Sequence, residues 1–383
     1  MKSQRLPWIL LGLALFGALI GFFLSTERSL SFYSEADAKI ELEASDLAAQ
    51  VDSDFPVRSN DQIGIQDLAY PSNAIPGELV FHFDSRQDYL AYLKALTNAG
   101  IAPLGQIDEL LALRIPERAL LQASLAQSVA RASYSYRIER PLPPVEIDPE
   151  ALANLRHYGL SARSITGGFI AGQGEGVIVS ILDSGIQSHP QFDDIYIAHI
   201  DLAGGGVAGP GASHGTSVAS IITGSEGIAP AAELFVIRVL DDEGLGNSYD
   251  VAQGIVQAVD LGVQIINMSL GVYQDAALLR EAIKYADDRG VIMVAAAGND
   301  GYNRMPYPAA YPQVLSVTAV DAGGQHANFS NQSKEIDFAA PGVGVLTAKE
   351  DKGTTLFSGT SAAAPFVSGT IASLISGDDA LSP

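Results

Sequence analysis

Residues 248–270 read SYDVAQGIVQAVDLGVQIINMSL: a helical stretch, 248–261, that runs straight into a continuous apolar strand, 263–270. A strand apolar along its whole length is one buried on both faces. Outward in both directions the alternation recurs. Apolar runs at 177–182, 234–240, 291–297 and 314–320 are separated by helical stretches at 215–223 and 276–289. Such strands between helices predict a parallel sheet covered on both sides, a three-layer α/β domain beginning near residue 166.

A shorter pattern of another kind lies upstream. Residues 78–83 alternate like a strand, and 85–99 read as a helix with apolar Leu90, Leu93 and Leu96 and a stop at Gly100. Residues 101–115 read as two short strands around a turn at Gln106, Ile107 and Asp108. Pro116 and Glu117 open a second helix to Ala130, and 133–138 alternate again. Strand, helix, strand, strand, helix, strand makes a small α+β module over 78–142. Linkers flank it: polar 26–77, closed by Pro71, Pro76 and Gly77, and 143–165, stiffened by Pro143, Pro144 and Pro149.

The chain opens with Lys2 and Arg5 ahead of an uncharged apolar run, 8–24. At about 1.5 Å per residue this run reaches roughly 25 Å, close to the ~30 Å hydrocarbon core of a bilayer. Residues 1–25 are therefore either a signal anchor or a cleaved signal peptide. Leu24, Ser25, Thr26 and Glu27 make a poor cleavage site, which favours the anchor. The positive flank stays inside, so the remainder is expected outside the cytoplasm, tethered to the membrane or secreted.

Composition removes whole classes of function. Of 383 residues, 44 are acidic and 22 basic, a formal charge of −22, which argues against a nucleic-acid partner. There is no cysteine, hence no disulfide, thiolate metal site or cysteine nucleophile. The glycine-rich stretch GGFIAGQGEG at 167–176 precedes its strand and opens no helix, so it is a turn and not a dinucleotide fingerprint; 204–211 is likewise a loop.

Four segments carry chemistry. The strand 177–182 ends in Asp183, and in parallel α/β sheets ligands bind beyond the carboxyl ends of strands. SHGTSVASIITG at 213–224 sets His214 at the mouth of a helix of small and β-branched residues. Ser361 begins another helix, with Pro365 expected in its first turn, where backbone N–H groups and the helix dipole favour an oxyanion. AAAGND at 295–300 ends an apolar strand with Asn299, a side-chain amide able to donate to such an oxygen. Each residue alone is more often a cap or a turn residue; the set, in the chain order acid, histidine, serine, decides.

Residues 166–376 resemble the catalytic domain of the subtilisin-like serine proteases. The segments that carry the resemblance are ILDSGIQSHPQF around Asp183, SHGTSVAS around His214, INMSLG at 266–271, VAAAGND at 294–300 and SGTSAAAPFVSG around Ser361. The resemblance implies a serine endopeptidase in which Ser361 is the nucleophile, His214 its general base and Asp183 the orienting acid. Asn299 would share the oxyanion hole with the Ser361 N–H. It also implies that Ser269, Leu270 and Gly271 line the primary specificity pocket. Leu245, Gly246 and Asn247 would pair with an extended protein or peptide substrate. The module at 78–142 then becomes a propeptide, an inhibitor of its own enzyme whose final strand leads into the processing region.

The sequence departs from the family in places. Ser217 and Ser220 stand where many members carry His and Gly, and Met305, Pro306 and Tyr307 lie near the pocket base where many have glycine. The segment 223–227 is too short for the calcium loop of several relatives, so no cofactor is required and that calcium site is not expected; carboxylates such as Asp241, Asp242 and Glu243 could bind calcium elsewhere but read rather as solvated surface. Leu381, Ser382 and Pro383 look like a helix start where relatives continue, which reads as a catalytic domain cut short. Two other classes fit less well. A serine esterase needs G-x-S-x-G, which Gly359 to Ala363 fails at its last position. A non-catalytic scaffold would be expected to lack a member of the triad.

Overall fold

The computed structural model describes residues 71–121, 131–142, 159–170 and 172–376. The N-terminal apolar run, most of the expected second module helix, residues 143–158 of the expected linker and the helix start at the C-terminus lie outside the described residues; the end of that linker is a short helix, Ala162–Ile165. Among the described residues no helix is long and apolar enough to cross a membrane.

Among the described residues the upstream module is a four-stranded antiparallel sheet with one α-helix, and a short 3-10 turn, Glu117–Leu121, stands where the second helix is expected to open. Strand β1, Glu78–His82, lies between β3, Ala112–Pro116, and β4, Arg131–Ser133, with β2, Gly105–Ile107, beyond β3. Helix α1, Arg86–Asn98, starts where the Ser85 side chain accepts the Asp88 N–H, and it stops ahead of Gly100 at φ +68°. Period-two alternation gives the sheet two working faces. Leu79, Phe81, Leu113 and Ile115 pack on Tyr89, Tyr92 and Leu96 of α1. Val80, Ile107 and Ala112 join the core of the larger domain instead. The β2–β3 turn is a tight helical turn, Asp108–Leu110, with Leu111 at φ +49°. The expected turn over Gln106 to Asp108 is thus displaced, because Gln106 and Ile107 stay paired in β2.

The larger domain holds a seven-stranded sheet in the order β13-β12-β11-β10-β6-β8-β7. Its strands are β6 Ile178–Asp183, β7 Ile197–Asp201, β8 Glu233–Arg238, β10 Ile265–Met268, β11 Ile292–Ala296, β12 Val314–Val320 and β13 Phe338–Pro341, every pairing parallel. Helices α2 Ser213–Ile222 and α5 Thr360–Ser376 cover one face; α3 Ser248–Asp260 and α4 Ala277–Asp287 cover the other. Successive strand residues serve opposite layers: Val179 and Ile181 meet the α2 and α5 side, Leu182 the α3 and α4 side. The three layers expected from the continuous apolar strands are present. Strands β7 and β13 and the hairpin of β14, Val345–Ala348, and β15, Thr354–Phe357, have no counterpart in the sequence reading. They are short, and β7 and β15 carry no fully buried residue, so they lack an apolar run.

The expected strand 133–138 is two strands. Arg131–Ser133 pairs with β1, while β5, Arg137–Glu139, leaves the module and pairs antiparallel with β9, Leu245–Asn247, of the larger domain. Contacts between the two units are polar as well as apolar. His82 Nδ1 lies 3.1 Å from Glu281 on α4. Arg114 reaches Asp250 on α3 at 3.3 Å and stacks over the Tyr249 ring.

Candidate active site

Asp183, His214, Ser361 and Asn299 meet at the carboxyl edge of the sheet. Asp183 ends the inner strand β6 and is fully buried; its Oδ1 accepts the Ser184 N–H at 2.7 Å and faces His214 Nδ1 at 2.8 Å. That contact makes Nδ1 the protonated nitrogen and leaves Nε2 as the basic one. His214 is the second residue of α2, inside the first turn and not ahead of it, and its ring packs edge-on against Phe357 at 5.4 Å. Nε2 is buried and takes no hydrogen-bond partner within the protein.

Ser361 is the second residue of α5, and its Oγ donates to the Ser269 carbonyl at 3.5 Å. Pro365 lies in the second turn, not in the first as expected. It has no N–H for the carbonyl four residues back, which is that of Ser361. That carbonyl accepts the Ser269 hydroxyl at 3.2 Å instead. The proline thus frees a backbone acceptor that fastens Ser361 to the end of β10.

Asn299 has a fixed orientation. Its Oδ1 accepts both the N–H and the hydroxyl of Thr360, at 2.9 and 2.8 Å, and Nδ2 faces outward. Nδ2 donates to the Leu142 carbonyl at 2.9 Å. Leu142 follows β5, so the tail of the module crosses the site. Along it, Glu139 exchanges both main-chain hydrogen bonds with Gly271, at 3.0 and 3.3 Å, while its other edge faces Leu245. Arg140 donates to the Gly244 carbonyl at 3.1 Å. An extended segment is therefore held between β9 and the end of the Ser269–Gly271 stretch, and its next carbonyls reach Asn299.

The match to the subtilase family model covers residues 174–383. The chain belongs to the subtilase family. It is 40% identical over 213 residues to a thermostable alkaline protease of Halalkalibacterium halodurans, 52% of this chain and 56% of that protein. To subtilisin BL of Lederbergia lenta it is 36% identical over 212 residues, 52% of this chain and 76% of that one. Fervidolysin from Fervidobacterium pennivorans, a keratinolytic enzyme related to subtilisin, matches in structure with a TM-score of 0.66 at 25% identity. That match covers 80% of this chain and 55% of the other, a share that must include residues ahead of 174.

In this subtilase, Ser217 and Ser220 stitch α2 to β14. Ser217 Oγ donates to the Ala348 carbonyl at 3.2 Å, and Ser220 Oγ accepts the Ala348 N–H at 3.1 Å. The acidic run is not plain solvated surface. Asp241 accepts the N–H groups of Glu243 and Leu245, shaping the approach to β9. Asp242 pairs with Arg238 at 2.9 Å, and the bond to Arg238 holds its carboxyl below the usual range. Arg238 is buried behind the site, where it also donates to the Ser184 carbonyl next to Asp183. Neither Thr360 nor Arg238 stood out in sequence, because each acts through partners far along the chain. Among the described residues no group of three or more His, Asp or Glu is placed to hold a metal.

Proposed function

We propose that this subtilase is a serine endopeptidase that cleaves extended polypeptide segments through an acyl-enzyme. The observation that supports it is the peptide strand seated between β9 and Gly271 with a carbonyl on the Asn299 amide. In the proposed reaction, the Ser361 hydroxyl leaves the Ser269 carbonyl and gives its proton to His214 Nε2 as Oγ attacks the scissile carbonyl carbon. Asp183 keeps the other ring nitrogen protonated and stabilises the imidazolium. The new oxyanion is held by Asn299 Nδ2 and the Ser361 N–H at the start of α5. His214 then returns the proton to the leaving amine, and water repeats the steps in reverse to free the acid product.

The module at 78–142 is proposed to be the propeptide. Its sheet covers α3 and α4, and its tail takes the substrate's place as an intramolecular ligand at high effective concentration. Self-cleavage within 139–166 would separate the two units and leave the module as a product inhibitor. Lys2, Arg5 and the apolar run behind them support export, with the enzymatic domain outside the cytoplasm.

The test is labelling of the full chain by a serine-directed fluorophosphonate. Label at Ser361, its loss in Ser361→Ala, and accumulation of uncut Ser361→Ala precursor are expected. A correctly folded chain that never labels at Ser361 overturns the peptidase reading. Normal processing of Ser361→Ala in a host without other proteases overturns self-cleavage.

A further inference from the structure

Gly271, which pairs with the bound tail, and Gly298, which precedes Asn299, both approach the ring of Pro306. A Cβ built on Gly271 would lie 2.9 Å from both Cβ and Cγ of Pro306. A Cβ built on Gly298 would lie 2.4 Å from Asn331 Nδ2 and 3.3 Å from the Cδ of the same proline ring, so Asn331 and Pro306 together fill that side. The Pro306 ring therefore spans the space between the two glycines. It cannot swing aside, because proline has no side-chain rotamers of the ordinary kind and its φ is fixed. Its segment is anchored as well: Tyr307 exchanges main-chain hydrogen bonds with Val272 at 2.7 and 2.9 Å, and the Pro306 carbonyl accepts the Ala310 N–H.

Leu142, whose carbonyl sits on Asn299, leaves its side chain 71% exposed. A leucine beside an open apolar slot would gain roughly 1.5–3 kcal/mol by entering it. Here it stays in water.

From this geometry we infer that Pro306 closes the primary specificity pocket, so that the enzyme selects glycine, alanine or serine on the acyl side of the scissile bond. The inference rests on the peptidase reading and adds its substrate class.

The experiment uses the full chain, produced with its own N-terminal segments and left to process. Active enzyme is counted by fluorophosphonate label. Peptides that differ only at the residue before the cut, Gly, Ala, Ser, Leu or Phe, are compared by kcat/KM. Alanine is expected to exceed leucine and phenylalanine by about a hundredfold, since a pocket that lacks room for a side chain rejects it through KM and positioning together. Pro306→Gly and the milder Pro306→Ala should raise the leucine-to-alanine and phenylalanine-to-alanine ratios of kcat/KM at least tenfold. Labelled wild-type enzyme that cleaves phenylalanine as fast as alanine overturns the closed pocket and leaves the peptidase standing. So does a ratio that neither Pro306 variant moves. Failure of Ser361 to label overturns the peptidase reading and this inference with it.

Discussion

Replacing Thr360 by valine keeps the shape of a fully buried side chain and removes its hydroxyl. Two hydrogen bonds go with it: the one Thr360 Oγ1 donates to Asn299 Oδ1 at 2.8 Å and the one it accepts from the Gly298 N–H at 3.1 Å. Gly298 is buried, so its N–H loses an acceptor that water cannot replace, which destabilises the fold by about 1–3 kcal/mol. Asn299 keeps one tether, the Thr360 N–H at 2.9 Å. Losing the other, worth roughly 0.5–1.5 kcal/mol, should lower kcat about two- to tenfold with KM unchanged. That lies well below the roughly 10²–10³-fold for removing an oxyanion donor, a range that is itself a subtilisin value. Steady-state kinetics on a peptide substrate for wild type, Thr360→Val, Thr360→Ser, Asn299→Ala and Thr360→Val/Asn299→Ala separates the possibilities. If Thr360 acts through Asn299, valine has little further effect once Asn299 is alanine, and serine restores kcat. An equal loss from valine in both backgrounds refutes the reasoning and leaves Thr360 as a packing residue.

Gly246→Val would put a Cβ 2.2 Å from the Val239 carbonyl oxygen, displacing β9. KM for extended peptides should rise at least tenfold while turnover of a small ester, which needs no strand pairing, changes little. Leu96→Ala removes a fully buried side chain from the core of the module and should destabilise it by about 2–5 kcal/mol. Chemical denaturation of the full-length Ser361→Ala chain should resolve this as an earlier first transition; an unshifted one counts against the packing described. Glu78 and Asp250, facing each other around Arg114 at the junction, both have carboxyl pKa values raised, chiefly by burial. Groups whose pKa rises on docking hold protons more tightly when docked, so docking is strongest at low pH and weakens as pH climbs from about 4 through the raised values. Calorimetric titration of the separate module into self-processed enzyme freed of its own module should give tighter binding at pH 5 than at pH 7; Asp250→Asn should flatten the difference.

The sequence alone shows the layered core and singles out the four residues that the fold brings together at the carboxyl edge of the sheet. Each of these is local. A strand buried on both faces shows as an unbroken apolar run, and Asp183, His214, Ser361 and Asn299 each stand at a strand end or helix start that the flanking residues specify. What the sequence does not carry is set by contacts between distant segments. Strand β7 is half-exposed and has neither an apolar run nor clean alternation to mark it. The expected strand 133–138 divides because its two halves find partners in different units, β1 on one side and β9 on the other. Pro365 frees the Ser361 carbonyl only because the Ser269 hydroxyl arrives there from 92 residues away. Pro306 closes a pocket only because Gly271 and Gly298 are brought to either side of its ring. Residue patterns record how each segment meets water; which segments then meet one another depends on the register and packing of the sheet, and that exists only once the chain has folded.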